Sequence, residues 1–183
     1  MTDSNVKTLS SKSVFKAKLF DVEEEEIEYA SGRKTIHHIV KRKPVVVIFP
    51  ISPTGEIYLI SEYRNIFGKN ILGASAGFMD KEGETPLQTA KRELKEELGV
   101  TASQWEQLAK VELASSVLKG QAYLFLAREL EFGEQNLEDD EMIEVIKMSL
   151  TEAVEKVMSG EISQATSMIG ILMLDKLRRE KKL

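Results

Sequence analysis

The chain has 183 residues, 42% hydrophobic and 30% charged, with a formal net charge of −5, the profile of one folded domain rather than a disordered or fibrous chain. It has no cysteine, which excludes disulfides, thiolate metal sites, iron–sulfur clusters and a cysteine nucleophile. Its two histidines, His37 and His38, are adjacent and supply neither a His-rich zinc site nor a Ser–His triad well, and the acidic balance disfavours nonspecific nucleic-acid binding.

Chemistry in this chain therefore falls to its carboxylates. The longest apolar runs, Val45–Phe49 and Met168–Leu174, are far short of the roughly 18 residues that cross a bilayer. Met1–Lys12 has no apolar signal-peptide stretch, so the expected location is cytoplasmic, without a membrane partner. The organisation expected is a single domain over 1–183. Within it, residues 1–12 are polar and disordered, 14–43 form N-terminal strands, and 44–177 form the core.

In chain order, Val14–Val40 reads as strands around a turn at Ser31-Gly32, with Glu23–Glu26 a solvated acidic run. Val45–Phe49 is a short continuous apolar run suited to a central strand. Pro53-Thr54-Gly55 marks a turn, with Glu56–Ser61 expected as the hairpin partner. Gly73–Gly77 reads as a loop of small residues. Thr85, Pro86 and Gln88 have the pattern of a capping box with proline at the first helical position. Leu87, Ala90, Leu94 and Leu98 then make one apolar stripe, and Gly99 suits the C-terminal cap. Glu106–Leu113, Ala122–Leu130 and Met142–Ser149 read as strands, with an acidic loop at Glu134–Glu141. Thr151–Met158 and Ser163–Leu177 read as helices that pack through Val154, Val157, Met168, Ile169 and Leu172.

The helix after Thr85 carries the clearest chemical signal. At 100° per residue, with Glu93 at 0°, Glu97 falls near about +40° and Glu96 near about −60°. Three acids share an arc beside the buried stripe, while Lys91 and Lys95 lie elsewhere. Arg92–Glu96 is an ordinary i,i+4 ion pair, but Glu93–Glu97 is a like-charge pair that costs an isolated helix about 0.2–0.5 kcal/mol. Spacing alone leaves two readings open, a solvated charged face or a cation site. In the second, oxygen donors without Cys or His suit Mg²⁺ or Mn²⁺.

Gly77-Phe-Met-Asp-Lys-Glu-Gly-Glu84 followed by Arg92-Glu93-Leu94-Lys95-Glu96-Glu97-Leu98-Gly99-Val100 closely resembles the Nudix box. The second half matches at every specified position. Between Gly77 and Glu84 the chain has one residue more than the motif. Glu62-Tyr63-Arg64, Ser75-Ala76-Gly77, Tyr123–Ala127 and the acidic loop before Ile143-Glu144-Val145 follow the order of the branch of ADP-ribose pyrophosphatases and nucleoside diphosphate sugar hydrolases. Two departures stand out. That branch usually has Glu-Leu-Pro-Ala-Gly where this chain has Gly73-Ala74-Ser75-Ala76-Gly77. Its ADP-ribose enzymes carry Ser-Pro-Gly where Ser115-Ser116-Val117 stands.

The resemblance implies an α/β fold, an α/β/α sandwich around a mixed β-sheet, commonly a homodimer with the N-terminal strands at the interface. It implies a Mg²⁺-dependent hydrolase that cleaves the diphosphate of a nucleoside diphosphate sugar or ADP-ribose. By the same resemblance Glu93, Glu97, the neighbouring Glu96 and the Ala76 carbonyl are metal ligands. Arg64 is a substrate-phosphate ligand, and a base comes from Glu138–Glu141, with Glu141 favoured. Gly77, Glu84, Arg92 and Gly99 are structural. His37 and His38 are expected as strand or interface residues, and Trp105 and Phe67 in packing roles. Two other readings stay open: a Nudix-like module that binds a nucleotide without cleaving it, and a hydrolase of another nucleotide diphosphate linkage.

Overall fold

The computed structural model describes residues 5–137 and 142–183. The elements are β1 (Val6–Lys16), β2 (Phe20–Tyr29), β3 (Lys34–Arg42), β4 (Val45–Pro50), β5 (Glu56–Arg64), β6 (Lys69–Gly73), β7 (Ser75–Phe78), α1 (Pro86–Leu98), β8 (Val100–Glu112), β9 (Leu118–Lys119), β10 (Gln121–Phe132), β11 (Ile143–Ser149), α2 (Leu150–Met158) and α3 (Ala165–Arg179). They form two compact units, Met1–Pro44 with Glu112–Gln121, and Val45–Val111 with Ala122–Leu183. Among the described residues no helix is long and apolar enough to cross a membrane.

The first unit is a sheet in the order β1-β2-β3-β9. β1 starts at Val6, inside the stretch expected to be disordered. Its partners run from Val6↔Tyr29 to Lys16↔Asp21, and this backbone pairing does not need apolar side chains. The Glu23–Glu26 run is half-buried and paired rather than solvated. Lys41 contacts Glu23, Lys12 Nζ lies 2.8 Å from Glu24, and His38 Nε2 lies 3.3 Å from the same carboxylate. The hydrogen bond from Lys41 holds the Glu23 carboxyl below its ordinary range. His37 and His38 sit in β3 opposite Glu25 and Glu24.

The second unit is built around β4, whose six residues are all buried. It lies inside the sheet β7-β4-β10-β8, antiparallel to β7 and parallel to β10. A strand covered on both faces needs a continuous apolar run, which Val45–Phe49 provides. On one face, Val46 and Ile48 join Ala90, Leu94 and Leu98 of α1 in a single core. Each fully buried leucine there contributes about 1.5–3 kcal/mol. On the other face α3 presses on Phe49. A Cβ on Gly170 would lie 2.0 Å from Phe49 Cζ, so only glycine allows this approach. Helix, mixed sheet and helix are thus layered in this unit.

The second sheet is antiparallel, in the order β11-β5-β6. The hairpin expected between β4 and β5 is reduced to one bridge, Ile51↔Ile57. Both edges of β4 are taken by β7 and β10, so β5 pairs with β11 and β6 instead. Gly73–Gly77 is not a loop: it ends β6 and begins β7. Its small residues serve close packing, since a Cβ on Gly73 would lie 2.8 Å from Ser167 Oγ. Strand β8 also starts earlier than expected, directly at Val100. The helix pair buries Ala153 and Val157 on α2 and Ser167, Gly170, Ile171 and Leu174 on α3, while Ile169 and Leu172 face outward. The stripe of small residues won the buried side because it lets α3 approach β4 closely.

Candidate active site

Thr85 and Gln88 start α1. The Thr85 side chain accepts from the Gln88 backbone N–H, and the Gln88 side chain accepts from the Thr85 backbone N–H at 2.9 Å, so orphan donors at the helix start are satisfied. Pro86 occupies the first turn, where its missing N–H costs nothing. At the other end Gly99 adopts φ +65 and donates to Leu94 and Lys95 carbonyls. Both ends of the helix are therefore defined, and its 3.6-residue period sets the angles between the side chains it presents.

Arg92 organises the acids. Its Nη1 lies 2.7 Å from Glu93 Oε1 and 2.8 Å from Glu96 Oε2, and its Nε donates to Glu84 at 3.3 Å. Glu84 also accepts from Thr89 Oγ1 at 3.0 Å. Burial of the guanidinium lowers its pKa, but the hydrogen bond to Glu96 and the charges of Glu93, Glu96 and Glu84 outweigh this and hold it above its ordinary value. Between Gly77 and Glu84 the chain turns at Lys81–Gly83, where Gly83 takes φ +82 with open space around it. Glu84 still reaches its partners.

Glu93 and Glu97 are buried on the β7 side of the helix, 9% and 4% exposed. Gly77 makes room for the first: a Cβ there would lie 2.0 Å from Glu93 Cδ and 2.1 Å from its Oε1. The second accepts from the Ala76 backbone N–H at 3.2 Å. Two buried carboxylates on successive turns repel each other and lose hydration. The Arg92 guanidinium at Glu93 and the Ala76 backbone N–H at Glu97 offset this, and a dication would suit the pair as well. All the nearby donors are oxygens, and the Ala76 and Gly77 backbone is close by. The donor set fits Mg²⁺ or Mn²⁺ and not a thiophilic metal. Glu96 stands differently: its side chain is 31% exposed and turned to Arg92, with Lys81 Nζ at 3.8 Å. Among the described residues no group of three His, Asp or Glu side chains is gathered at metal-ligand spacing. Glu93 and Glu97 are the pair that the fold buries against β7.

The start of the acidic loop Glu134–Glu141, with Gly133 before it, clamps the end of α1, a role that its residue types did not signal. Asn136 N donates to the Glu96 carbonyl at 2.9 Å, Gln135 Nε2 donates to the Glu97 carbonyl, and Gly133 N donates to the Gly99 carbonyl at 2.7 Å. Gly99 must lack a side chain for a second reason: a Cβ would lie 2.7 Å from the backbone of Gly133 and Glu134. Nothing in the residue types forecasts this contact between segments far apart in sequence. Thr89 was also missed, although a polar residue five positions after Glu84 on the buried side is a legible signal.

The other candidates lie elsewhere or are not described. Arg64 ends β5, in the other sheet, and its Nη2 is 2.6 Å from Glu62 Oε2. Glu141, with Glu138, Asp139 and Asp140, lies outside the described residues. Trp105 packs edge-on to Phe125 and donates to the Ala102 carbonyl at 2.9 Å, as a packing residue. Phe67 does not pack: it is 64% exposed at the tip between β5 and β6.

The chain is similar to known proteins. The Nudix domain model matches residues 41–166. An ADP-ribose pyrophosphatase of Bacillus subtilis (strain 168) is 30% identical over 170 residues, covering 92% of this chain and 91% of that protein. An ADP-ribose pyrophosphatase of Mycobacterium tuberculosis is 27% identical over 175 residues, covering 94% and 84%. The crystal structure of an ADP compounds hydrolase superposes with a TM-score of 0.86 over the whole of both chains at 23% identity. With the family match spanning more than half of its length and the carboxylate helix at the matched position, the chain belongs to the Nudix family of hydrolases.

Proposed function

We propose that this chain is a Mg²⁺-dependent pyrophosphohydrolase that splits ADP-ribose or a related nucleoside diphosphate sugar into a nucleoside monophosphate and a sugar phosphate. The observation that supports it most is the pocket made for Glu93 by the missing side chain of Gly77, with Glu97 tied to the next backbone N–H. The relatives named above act on ADP-ribose and ADP compounds. They favour an adenosine diphosphate among the candidate substrates.

In this reading Glu93 and Glu97, with the Ala76 carbonyl, hold the dication, and Glu96 stands beside them. The dication supplies charge neutralisation at the bridging diphosphate and a lowered pKa for water. A water oxygen attacks one phosphorus in line, and the bond from that phosphorus to the bridging oxygen breaks. The proton of the water passes to a carboxylate of Glu138–Glu141, for which Glu141 is our choice. Arg92 keeps the carboxylates apart and oriented. Arg64 serves the substrate phosphate by exchanging its ion pair with Glu62 for a bidentate one. We further propose a cytoplasmic homodimer joined through the N-terminal strands, with no nucleic-acid or membrane partner. A stable mass near 20.6 kDa by light scattering at micromolar concentration argues against the dimer.

A panel of ADP-ribose, several ADP-, UDP- and GDP-sugars and nucleoside triphosphates, each with and without Mg²⁺, tests the reaction. Glu97→Gln is expected to lower kcat by at least about 10²-fold, the scale of a lost electrostatic group, with Tm held. Tight nucleotide binding without a Mg²⁺-dependent product would support the non-catalytic alternative instead.

A further inference from the structure

Ser75 is fully buried, and its hydroxyl has no hydrogen-bond partner among the described residues. A buried hydroxyl is almost always satisfied, and an orphan calls for a reason such as an unseen ion or water. The strand register shows where this one faces. Ser75 and Gly77 alternate with Ala76 along β7, so they share a face. They pair with Ile48 and Val46 of β4, both of which pack into the α1 core. The face of Gly77 meets Glu93. One helical turn further, at the level of Ala76, stands Glu97. The register therefore puts Ser75 on the face of β7 that α1 covers, next along the strand to the residue whose N–H bonds Glu97. Ser75 stands where the resembling branch has proline, which carries no donor.

We infer that Ser75 is a positioning residue of the metal centre, whose hydroxyl would donate to the Glu97 carboxylate in the metal-bound protein. This rests on the dication reading proposed above. The Ala76 N–H reaches the Glu97 carboxylate at 3.2 Å, at the long end of the hydrogen-bond range. A second donor from the same strand fixes which oxygen faces the ion, as partners of metal ligands generally do.

The test is Mn²⁺ binding to the metal-free full chain, followed by electron paramagnetic resonance and calorimetry, for wild type and Ser75→Ala, with the Tm of both metal-free proteins. The hydroxyl is unsatisfied without metal, so its removal is expected to leave the metal-free Tm unchanged or higher. Mn²⁺ affinity is expected to fall about tenfold, the lower end for loss of a ligand's supporting partner. A merely structural serine gives the opposite pair, a lower Tm with affinity unchanged, and that pair overturns the inference. Equal affinity in both proteins also overturns it while leaving the dication reading intact. Wild type that takes up no Mn²⁺ sinks both.

Discussion

Gly77→Ala puts a methyl group 2.0 Å from Glu93 Cδ, 2.1 Å from its Oε1 and 2.5 Å from its Cγ. Ordinary van der Waals contact begins at about 3.4 Å, so the carboxyl group has to retreat by about 1.4 Å. Arg92 Nη1 already holds it at 2.7 Å on one side, and its burial at 9% exposure leaves little room elsewhere. Overpacking of this kind costs about 1–3 kcal/mol of stability. Displacing a reacting group by about 1 Å costs about 10²-fold in rate, or about 2.7 kcal/mol of transition-state stabilisation. Gly170→Ala is the matched control. It makes an equal 2.0 Å clash, with Phe49 Cζ on the α3 side of β4. Both variants are expected to lower Tm by several degrees. Only Gly77→Ala is expected to lose about two decades of kcat/KM per folded molecule, measured with Mg²⁺ well below either Tm. Wild-type turnover by Gly77→Ala, or an equal activity loss in Gly170→Ala, would refute the claim that Gly77 exists to seat Glu93.

Three further outcomes follow from the same geometry. Arg92→Lys replaces a planar fork spanning Glu84, Glu93 and Glu96 with a point charge that cannot reach all three. It should cost about 10–100-fold in kcat/KM, which steady-state kinetics will read. Gly99→Ala combines a left-handed φ of +65 with a 2.7 Å approach to the Gly133–Glu134 backbone. A loss of at least about 1–3 kcal/mol in urea unfolding is expected. Asp175 is held below its ordinary pKa, first by the Arg178 hydrogen bond and then by Arg179, against burial that raises it. Its stabilisation is thus present above the unfolded carboxylate pKa and lost as pH falls through the folded one. Asp175→Asn should lower Tm at pH 7 and converge with wild type in acid, in a Tm-against-pH series.

The carboxylate helix was legible in the residues because everything that defines it is local. Capping by Thr85 and Gln88, the Ala90–Leu94–Leu98 stripe, the arc of Glu93, Glu96 and Glu97 and the end at Gly99 all follow from a 3.6-residue period and short-range hydrogen bonds. β4 was legible for a similar reason, since burial on both faces demands an unbroken apolar run. What lay beyond reach depends on partners distant in the chain. β7 supplies the floor for Glu93 and Glu97, yet Gly73–Gly77 reads as loop, because small residues reveal the need for close approach only when the neighbour is known. Occupied edges on β4 sent β5 to the other sheet. The polar N-terminal strand formed because pairing satisfies backbone groups whatever the side chains are. The clamp of Gly133–Asn136 on the end of α1 likewise exists only in three dimensions. The sequence by itself determined which acids one helix face presents. Tertiary structure decided which of them are buried, Glu93 and Glu97, and which turns to Arg92 in partial exposure, Glu96. The physical reason is that a helix sets angles between its own side chains, while burial depends on what packs against them.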